Sequence, residues 1–237
     1  MLYLVSTPIG NLGDMTYRAV ETLKNVDLIV SEDTRKTSNL LKHYDISKPQ
    51  LAFNNFNEHS MISKLVDRLL EGTTIGLVTN AGMPGISDPG YLLAHAAIEN
   101  NIGVSVIPGA NAALTALVLS DLPAHSFTFR GFPPHKQGPR RRFIAVDKDS
   151  PHTLIYYESP YRLVAFIRDA LEVLGERRMC VANDLTKKFE TVYRGSMSEM
   201  LEILANENIR GEYTVIIEAK EGVRSGSETD SGRDQGL

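Results

Sequence analysis

The stretch IGLVTNAGMPGISDPGY, Ile75 to Tyr91, decides the fold that this sequence predicts. Its first five residues form a short apolar run of the kind that becomes a buried strand. The remainder is rich in glycine, which permits positive φ angles and close backbone approach, and in proline, which fixes φ and removes a hydrogen-bond donor. Such a loop follows one irregular path and presents bare N–H and C=O groups. Taken alone, the pattern fits a ligand-binding loop and an ordinary tight connection to a helix starting near Gly90 about equally well.

Strand and helix patterns alternate on both sides of this stretch. Apolar runs begin at Leu2, Val26 and Val104, and segments with helical periodicity lie between them. This alternation predicts a mainly parallel α/β sheet that extends to about Leu122. Open sheets of this kind bind ligands beyond the carboxyl ends of their strands. The turn after the first strand, TPIGNLGD, lacks the G-x-G-x-x-G fingerprint, which disfavours a dinucleotide site there.

The pattern restarts after Leu122 and predicts a second α/β domain. Between Arg130 and Arg142 the chain carries five Lys or Arg residues and no acid, interleaved with Phe, Pro and Gly. This composition predicts a loop rather than a helix, and its alternatives are a phosphate-backbone contact, which we favour, and an ordinary solvated surface. The polar tail has almost nothing to bury and is predicted to be disordered. The predicted organisation is residues 1–122, residues 123–220 and a tail of residues 221–237.

Composition limits the class of protein. The 237 residues are 42% hydrophobic and 23% charged, as in soluble globular proteins, and a net charge of −4 means that any nucleic-acid contact must come from a local basic patch. The single cysteine, Cys180, excludes an intramolecular disulfide and a multi-thiolate metal site. No stretch approaches the roughly 18 apolar residues of a membrane span, and the amino terminus lacks the features of a signal peptide. We therefore expect a cytoplasmic protein without a metal.

Charged residues follow the predicted second strand in the sequence SEDTR. Asp33 fits a helix cap, because its carboxylate can accept backbone N–H bonds at the start of the next helix. Arg35 and Lys36 at the same rim are suited to a phosphate.

Eight motifs in one order resemble a single family. It is the bacterial small-subunit ribosomal RNA 2′-O-ribose methyltransferase I family, in the tetrapyrrole methylase-like superfamily. The resemblance spans the whole chain except the tail. The motifs are STPIGNLGD (6–14), SEDTR (31–35), NAGMPGISDPGY (80–91), PGAN (108–111), RGFPP (130–134), YYESPYR (156–162), LTKKFE (185–190) and GEYTVIIE (211–218).

The resemblance implies a class III methyltransferase fold of two α/β domains, with S-adenosylmethionine bound in the cleft between them, and a homodimer. The implied acceptor is the ribose 2′-OH of a cytidine near the decoding centre, in small-subunit (16S) rRNA or in the assembled 30S subunit. The positions that match the family's donor site are Pro8, Asn80, Ala81, Gly82, Ser87, Asp88, Tyr157, Ala182, Leu185, Gly211 and Thr214.

A ribose hydroxyl is a poor nucleophile, so in-line positioning and proton removal must supply the rate. Four acids at predicted cleft rims are unranked candidates for the base or for an orienting group, although each equally fits a helix cap or an ion pair. They are Asp33, Asp88, Glu158 and Glu190. Our phosphate-contact candidates are Arg35, Lys36, Arg140, Arg141, Lys187 and Lys188.

Departures from the family pattern keep two alternatives open. The family usually has Ser-Asp where Thr79 and Asn80 stand and Thr where Met83 stands, so Asn80 keeps an acceptor and lacks a charge. One alternative is a methylase of a tetrapyrrole or another small molecule, which needs no basic loop. The other is a non-catalytic RNA- or ribosome-binding module, which predicts no donor binding. The absence of glycine-rich and P-loop motifs disfavours a nicotinamide or ATP enzyme.

Overall fold

Two five-stranded sheets organise the chain in the computed structural model, which describes residues 1–220. The first sheet is wholly parallel, in the order β3-β2-β4-β1-β5, and each strand is followed by a helix. Its strands are β1 (Leu2–Val5), β2 (Leu28–Ser31), β3 (Gln50–Ala52), β4 (Ile75–Val78) and β5 (Val104–Ile107). Its helices are α1 (Tyr17–Asn25), α2 (Thr34–His43), α3 (Glu58–Leu70), α4 (Tyr91–Glu99) and α5 (Ala112–Leu119).

The central strands of this sheet, β1, β2 and β4, are mostly apolar because helices cover both faces. On β2, Leu28 and Val30 pack with apolar side chains of α3 and α4. Ile29, whose side chain points to the opposite face, packs with α1 and α2. The predicted parallel α/β architecture is therefore confirmed.

The second sheet has the order β6-β7-β10-β8-β9. β6 is parallel to β7, and β10 is antiparallel to β7. One apolar core joins this sheet to three helices and includes Tyr156, Phe166 and Met200, all fully buried. Its strands are β6 (Phe127–Gly131), β7 (Thr153–Glu158), β8 (Arg178–Asn183), β9 (Thr191–Ser196) and β10 (Tyr213–Ile217). Its helices are α6 (Gln137–Ala145), α7 (Leu163–Leu174) and α8 (Met197–Ala205).

The basic segment corrects the sequence prediction, because its second half is the helix α6 and not a loop. The interleaved Phe132, Pro133, Pro134 and Gly138 suggested a loop, but the first three precede α6, and Gly138 and Pro139 lie in its first turn. Backbone N–H groups in the first turn have no intrahelical partner, so a proline there removes nothing. Ile144 on the same helix is fully buried in the core of the second sheet.

Two smaller features are not part of the sequence prediction. Ser196 caps α8: its Oγ accepts a bond from the Glu199 N–H at 3.2 Å, and Glu199 Oε2 accepts from the Ser196 N–H at 2.8 Å. This reciprocal pair is a capping box. The sequence pattern missed β3, because its three residues are only partly buried and carry no apolar run.

The described residues form two compact units. Unit 1 comprises Met1–Ala116 and Ala182–Thr191, and unit 2 comprises Leu117–Val181 and the described residues from Val192 onward. The predicted boundary near Leu122 stays a prediction, and the predicted tail of residues 221–237 lies outside the described residues. Between residues 1 and 220, no helix has the length and apolar character needed to cross a bilayer.

Candidate active site

The loops that follow β1, β4 and β5 meet at the carboxyl edge of the first sheet. Thr7 and Gly82 exchange two backbone hydrogen bonds, with the Thr7 N–H donating to the Gly82 carbonyl at 2.9 Å and the Gly82 N–H to the Thr7 carbonyl at 3.0 Å. A Cβ added to Gly82 would lie 3.5 Å from Ile9 Cγ2 and 3.8 Å from the Ala110 carbonyl oxygen. Pro8 therefore lies beside the loop of residues 80–90, as the predicted donor site requires.

The loop of residues 80–90 has an unusual backbone. Its left-handed positions aim carbonyl and N–H groups in directions that a regular strand or helix does not permit. Glycine adopts such angles without strain, whereas Ser87 does so at a cost. The positive φ angles are 74° at Gly82, 83° at Gly85, 62° at Ser87 and 134° at Gly90.

Neighbouring elements hold both ends of this loop. The Asn80 N–H donates to Glu32 Oε2 at 3.3 Å, just beyond β2. The Gly90 N–H donates to Glu58 Oε1 at 3.2 Å, at the start of α3. Glu32 follows β2 and Glu58 begins α3, so two neighbouring strand–helix units hold the two ends of the loop.

The segment of residues 182–191 also belongs to unit 1 and contains two left-handed residues that are not glycine. Asp184 has φ 47° and Thr186 has φ 64°. A β-branched residue in this region is strained and persists only where its surroundings enforce it. The Thr186 N–H donates to Glu190 Oε2 at 2.6 Å, and Lys187 Nζ lies 2.8 Å from Asp184 Oδ1. Glu190, a predicted base candidate, thus stabilises this turn.

Gly10 lets this strained segment approach the loop after β1. A Cβ at Gly10 would lie 2.5 Å from Lys187 Cγ and 2.8 Å from both the Leu185 carbonyl oxygen and Thr186 Oγ1. The structure therefore brings together two predicted donor segments, around Pro8 and around Leu185. Sequence reasoning missed the role of Gly10, and the only signal was a glycine inside a predicted ligand turn.

The predicted donor residues of unit 2 lie on and beside two paired strands. Tyr157 on β7 and Thr214 on β10 are direct cross-strand partners. The Tyr157 ring contacts Phe129 and Phe132, with ring centroids 5.1 Å and 5.4 Å away. Gly211, with φ 88°, precedes β10. Ala182, which is fully buried on β8, belongs to unit 1.

Asp33 is a helix cap, as the sequence suggested. Its Oδ1 accepts the N–H groups of Arg35 at 2.9 Å and Lys36 at 3.4 Å at the start of α2. The hydrogen bond from the Arg35 N–H contributes most to lowering the pKa of Asp33 below its usual value. A carboxylate with a lowered pKa is a weaker base, which argues against Asp33 in proton removal.

Glu158 at the end of β7 is buried with one unsatisfied oxygen. Its Oε2 accepts the Ser159 N–H at 2.8 Å and lies 3.0 Å from Arg162 Nε, whereas Oε1 is buried without a hydrogen-bond partner. Burial raises the pKa of Glu158, and its neighbours only partly oppose that effect. An ionised carboxylate with an unpartnered oxygen is costly in such a position.

Glu158→Gln is expected to remove a pH dependence from stability. Because the folded-state pKa of Glu158 lies above its ordinary value of 4.5, its contribution to stability is complete below the unfolded pKa and is lost as the pH rises through the folded value. In urea unfolding between about pH 4 and about pH 8, the free energy of unfolding of the Gln variant should increase relative to that of the wild type as the pH rises. The exposed Glu202→Gln on α8 is the control. A stability difference that is the same at every pH would contradict the expectation.

Arg140 and Arg141 do not face a phosphate. Arg140 is 5% exposed, and its Nε and Nη2 lie 2.8 Å and 2.6 Å from Asp169 Oδ2. Arg141 Nε donates to Asp169 Oδ1 at 2.8 Å, and Arg141 Nη1 donates to Glu172 Oε1 at 2.6 Å. Both guanidinium groups thus join α6 to α7, and we remove them from the phosphate-contact candidates.

The other predicted phosphate contacts are more accessible. The Arg35 side chain is 92% exposed, and Lys36 and Lys188 are also exposed. Lys188 Nζ lies 5.4 Å from the centroid of the Phe189 ring, and that ring is itself exposed. Within the part of the chain that the structure describes, no group of three or more His, Cys, Asp or Glu side chains is arranged to hold a metal.

Comparisons with known proteins agree with the fold and with the motifs. A family model described as tetrapyrrole (corrin/porphyrin) methylases matches residues 1–201. The ribosomal RNA small subunit methyltransferase I of Halalkalibacterium halodurans is 48% identical over 217 residues, which cover 92% of this chain and 75% of that protein. The chain belongs to the tetrapyrrole methylase family. The protein of the same name from Synechocystis sp. is 45% identical over 218 residues, which cover 92% of this chain and 78% of that protein.

Solved structures of other methyltransferases share the fold. The uroporphyrin-III-C-methyltransferase of Thermus thermophilus has a TM-score of 0.64 at 19% identity and covers 92% of this chain and 93% of its own. The methyltransferase CobJ has a TM-score of 0.69 at 16% identity and covers 95% of this chain and 96% of its own. The fold class and the family resemblance predicted from the eight motifs are thereby confirmed, and the chain is a methyltransferase.

Proposed function

We propose that this methyltransferase transfers a methyl group from S-adenosylmethionine to the ribose 2′-OH of a cytidine in small-subunit rRNA, near the decoding centre. The observation that carries the proposal is the 48% identity, over nine-tenths of the chain, to a protein named ribosomal RNA small subunit methyltransferase I. The ribose position and the cytidine rest on the motif resemblance. The names of the relatives disfavour a small-molecule methylase and a non-catalytic binding module.

The carboxyl edge of the first sheet fits a sulfonium donor. When bound, S-adenosylmethionine supplies a methyl group on a positively charged sulfur, which carbonyl and carboxylate oxygens stabilise and which needs no phosphate cradle. The hydroxyls of Ser6 and Ser31, at the ends of β1 and β2, are buried without a hydrogen-bond partner. Polar atoms of a ligand would offset the cost of such orphaned groups. We propose donor contacts at Pro8, Asn80, Ala81, Gly82, Ser87, Asp88, Tyr157, Ala182, Leu185, Gly211 and Thr214.

Asp88 is the acid that we favour for orienting the acceptor or accepting its proton. It lies within the loop of residues 80–90, beside the proposed donor contacts. Asp33 caps α2 with a lowered pKa that makes it a weaker base, and Glu190 accepts the Thr186 N–H. Glu158 is buried, and its pKa is raised. Its carboxyl is the second candidate.

The proposed partner is small-subunit rRNA, free or in the assembled subunit, held by phosphate contacts of Arg35, Lys36, Lys187 and Lys188. We also propose a cytoplasmic homodimer. Its support is α5, whose sequence AALTALVL is apolar on every side and which leaves Leu114 and Val118 exposed. A second copy of the chain would cover these side chains.

Methyl transfer with a labelled donor tests the proposal. Purified protein is incubated with small subunits from cells that lack the modification, with large subunits and with uroporphyrinogen III, while calorimetry measures binding of S-adenosylhomocysteine. Label confined to small-subunit rRNA is the expected result. Transfer to the tetrapyrrole alone would establish the small-molecule methylase instead. RNA binding without binding of S-adenosylhomocysteine would establish the non-catalytic module.

A further inference from the structure

The connection between β3 and α3 presents an aromatic ring to solvent. Phe56 is 100% exposed, whereas Phe53, three residues earlier in the same connection, is fully buried. Its sequence neighbours Asn55 and Asn57 are polar, so no apolar side chain adjoins the ring along the chain. A large apolar side chain held fully in water is an informative exception among aromatic residues.

Hydrogen bonds within this connection order the backbone around Phe56. The Phe56 N–H donates to Asn54 Oδ1 at 3.0 Å, and the Asn54 N–H donates to Asn57 Oδ1 at 2.8 Å. Asn57 Nδ2 donates to the Ala52 carbonyl at 3.0 Å, and the Glu58 N–H donates to the Asn54 carbonyl at 2.8 Å. These asparagine bonds fix the backbone of the turn that carries Phe56.

The turn lies beside the proposed donor loop, within unit 1. The Phe53 N–H donates to the Ser31 carbonyl at 2.8 Å, so this connection leaves the sheet next to the SEDTR segment and its exposed Arg35. Glu58, at the end of the turn, accepts the Gly90 N–H at the end of the loop of residues 80–90. The exposed ring, an exposed cation and the donor loop are thus attached to one edge of one sheet.

We propose that Phe56 is a stacking platform for an unpaired nucleobase of the RNA substrate. This inference rests on the proposed function and adds a residue that nothing in the motifs assigned. RNA is read chiefly in single-stranded regions, where bases stack on aromatic rings and hydrogen-bond to polar groups. The isolated ring, the amides of Asn54 and Asn55 and the cation of Arg35 match those needs. A protein partner would instead require a wider apolar patch.

Phe56→Ala is expected to weaken binding of the protein to a 12-nucleotide single-stranded oligocytidylate roughly 5- to 150-fold, the range expected for one lost stacking interaction. Binding to small ribosomal subunits that lack the modification should weaken in the same direction. The slope of log affinity against log salt should not change, because no charge is removed, whereas Arg35→Ala should reduce it by about one. Phe56→Trp should retain binding, since it keeps a stacking surface.

Leu70→Ala is the matched control, because Leu70 is also an exposed apolar residue and ends α3, the helix that follows Phe56. It should leave RNA binding unchanged, and all variants should bind S-adenosylhomocysteine like the wild type. Wild-type affinity for both RNA probes in Phe56→Ala would overturn the inference, as would an equal loss in Phe56→Ala and Phe56→Trp. Loss of subunit binding with normal oligonucleotide binding would overturn it too, by assigning the ring to a ribosomal protein.

The proposed function fails separately. It fails if the wild-type protein transfers no methyl group to small subunits, whatever Phe56→Ala does to RNA binding. Weaker oligonucleotide binding by Phe56→Ala would support the stacking platform even then.

Discussion

Asp169→Ala is expected to lower the free energy of unfolding by about 3–5 kcal/mol, the cost of leaving a buried charge without its partner. The Asp169 side chain is 1% exposed, and the Arg140 side chain that it pairs with is 6% exposed. Although burial alone would raise the pKa of Asp169, hydrogen bonds from Arg141, Gln137 and Arg140 outweigh it and lower the pKa. The carboxylate is thus charged in the native protein, and its removal leaves Arg140 uncompensated between α6 and α7.

Urea unfolding measures this loss. Glu172→Ala is the matched control. Glu172 lies on α7, like Asp169, and pairs with Arg141 of α6, but its side chain is 57% exposed. Exposed pairs contribute about 1 kcal/mol or less. The double variant Asp169→Ala/Arg140→Met should recover much of the lost stability, since it removes the stranded charge. A loss below about 1 kcal/mol for Asp169→Ala would contradict the buried ion pair.

Gly10→Ala is expected to weaken binding of S-adenosylhomocysteine roughly 5- to 150-fold. The added methyl group would meet the Leu185 carbonyl at 2.8 Å, and this backbone atom belongs to a strained segment that cannot move without losing its turn. Overpacking of this kind costs about 1–3 kcal/mol, and each 1.4 kcal/mol is a factor of ten in affinity. The affinity for the donor should fall, because its proposed contacts at Pro8 and Leu185 lie on the two segments that the added methyl group pushes apart.

Calorimetry checks this expectation, with Gly13→Ala as control. A Cβ at Gly13 meets only the Asn11 side chain, 3.2 Å from Oδ1, so donor affinity should stay close to that of the wild type. Thermal unfolding shows whether either variant is folded. Unchanged affinity in a folded Gly10→Ala protein would contradict the proposed donor position.

Much of the fold was predictable because its signals are local. The strands β1, β2, β4 and β5 are short, mostly apolar runs, and glycines end α3 and α7 where the pattern stops. The helix α6 was not predictable in the same way. Its three adjacent arginines, with Gly138 and the prolines before it, predict a loop. Asp169, which lies on another helix and neutralises two of the arginines, is not visible as their partner in the sequence. The capping box of α8 was visible as Ser196 followed by Glu199, and we overlooked it.

The candidate site was predictable only as a set of segments. The sequence placed Pro8 and the loop of residues 80–90 at strand ends, where parallel sheets bind ligands. It did not indicate that Gly10 makes room for the segment around Leu185, because a close approach depends on which distant backbone lies opposite the glycine. Phe56 was also missed, although an aromatic residue among three asparagines is a readable turn signal.

Mass spectrometry of nucleosides from 16S rRNA tests the central claim most directly. Small subunits that lack the modification are incubated with the protein and S-adenosylmethionine, and their rRNA is digested to nucleosides. We expect one new product, a cytidine methylated on the ribose 2′-oxygen, which is absent when the donor is omitted. A methyl group on a base, or on the ribose of another nucleoside, would contradict the proposed reaction.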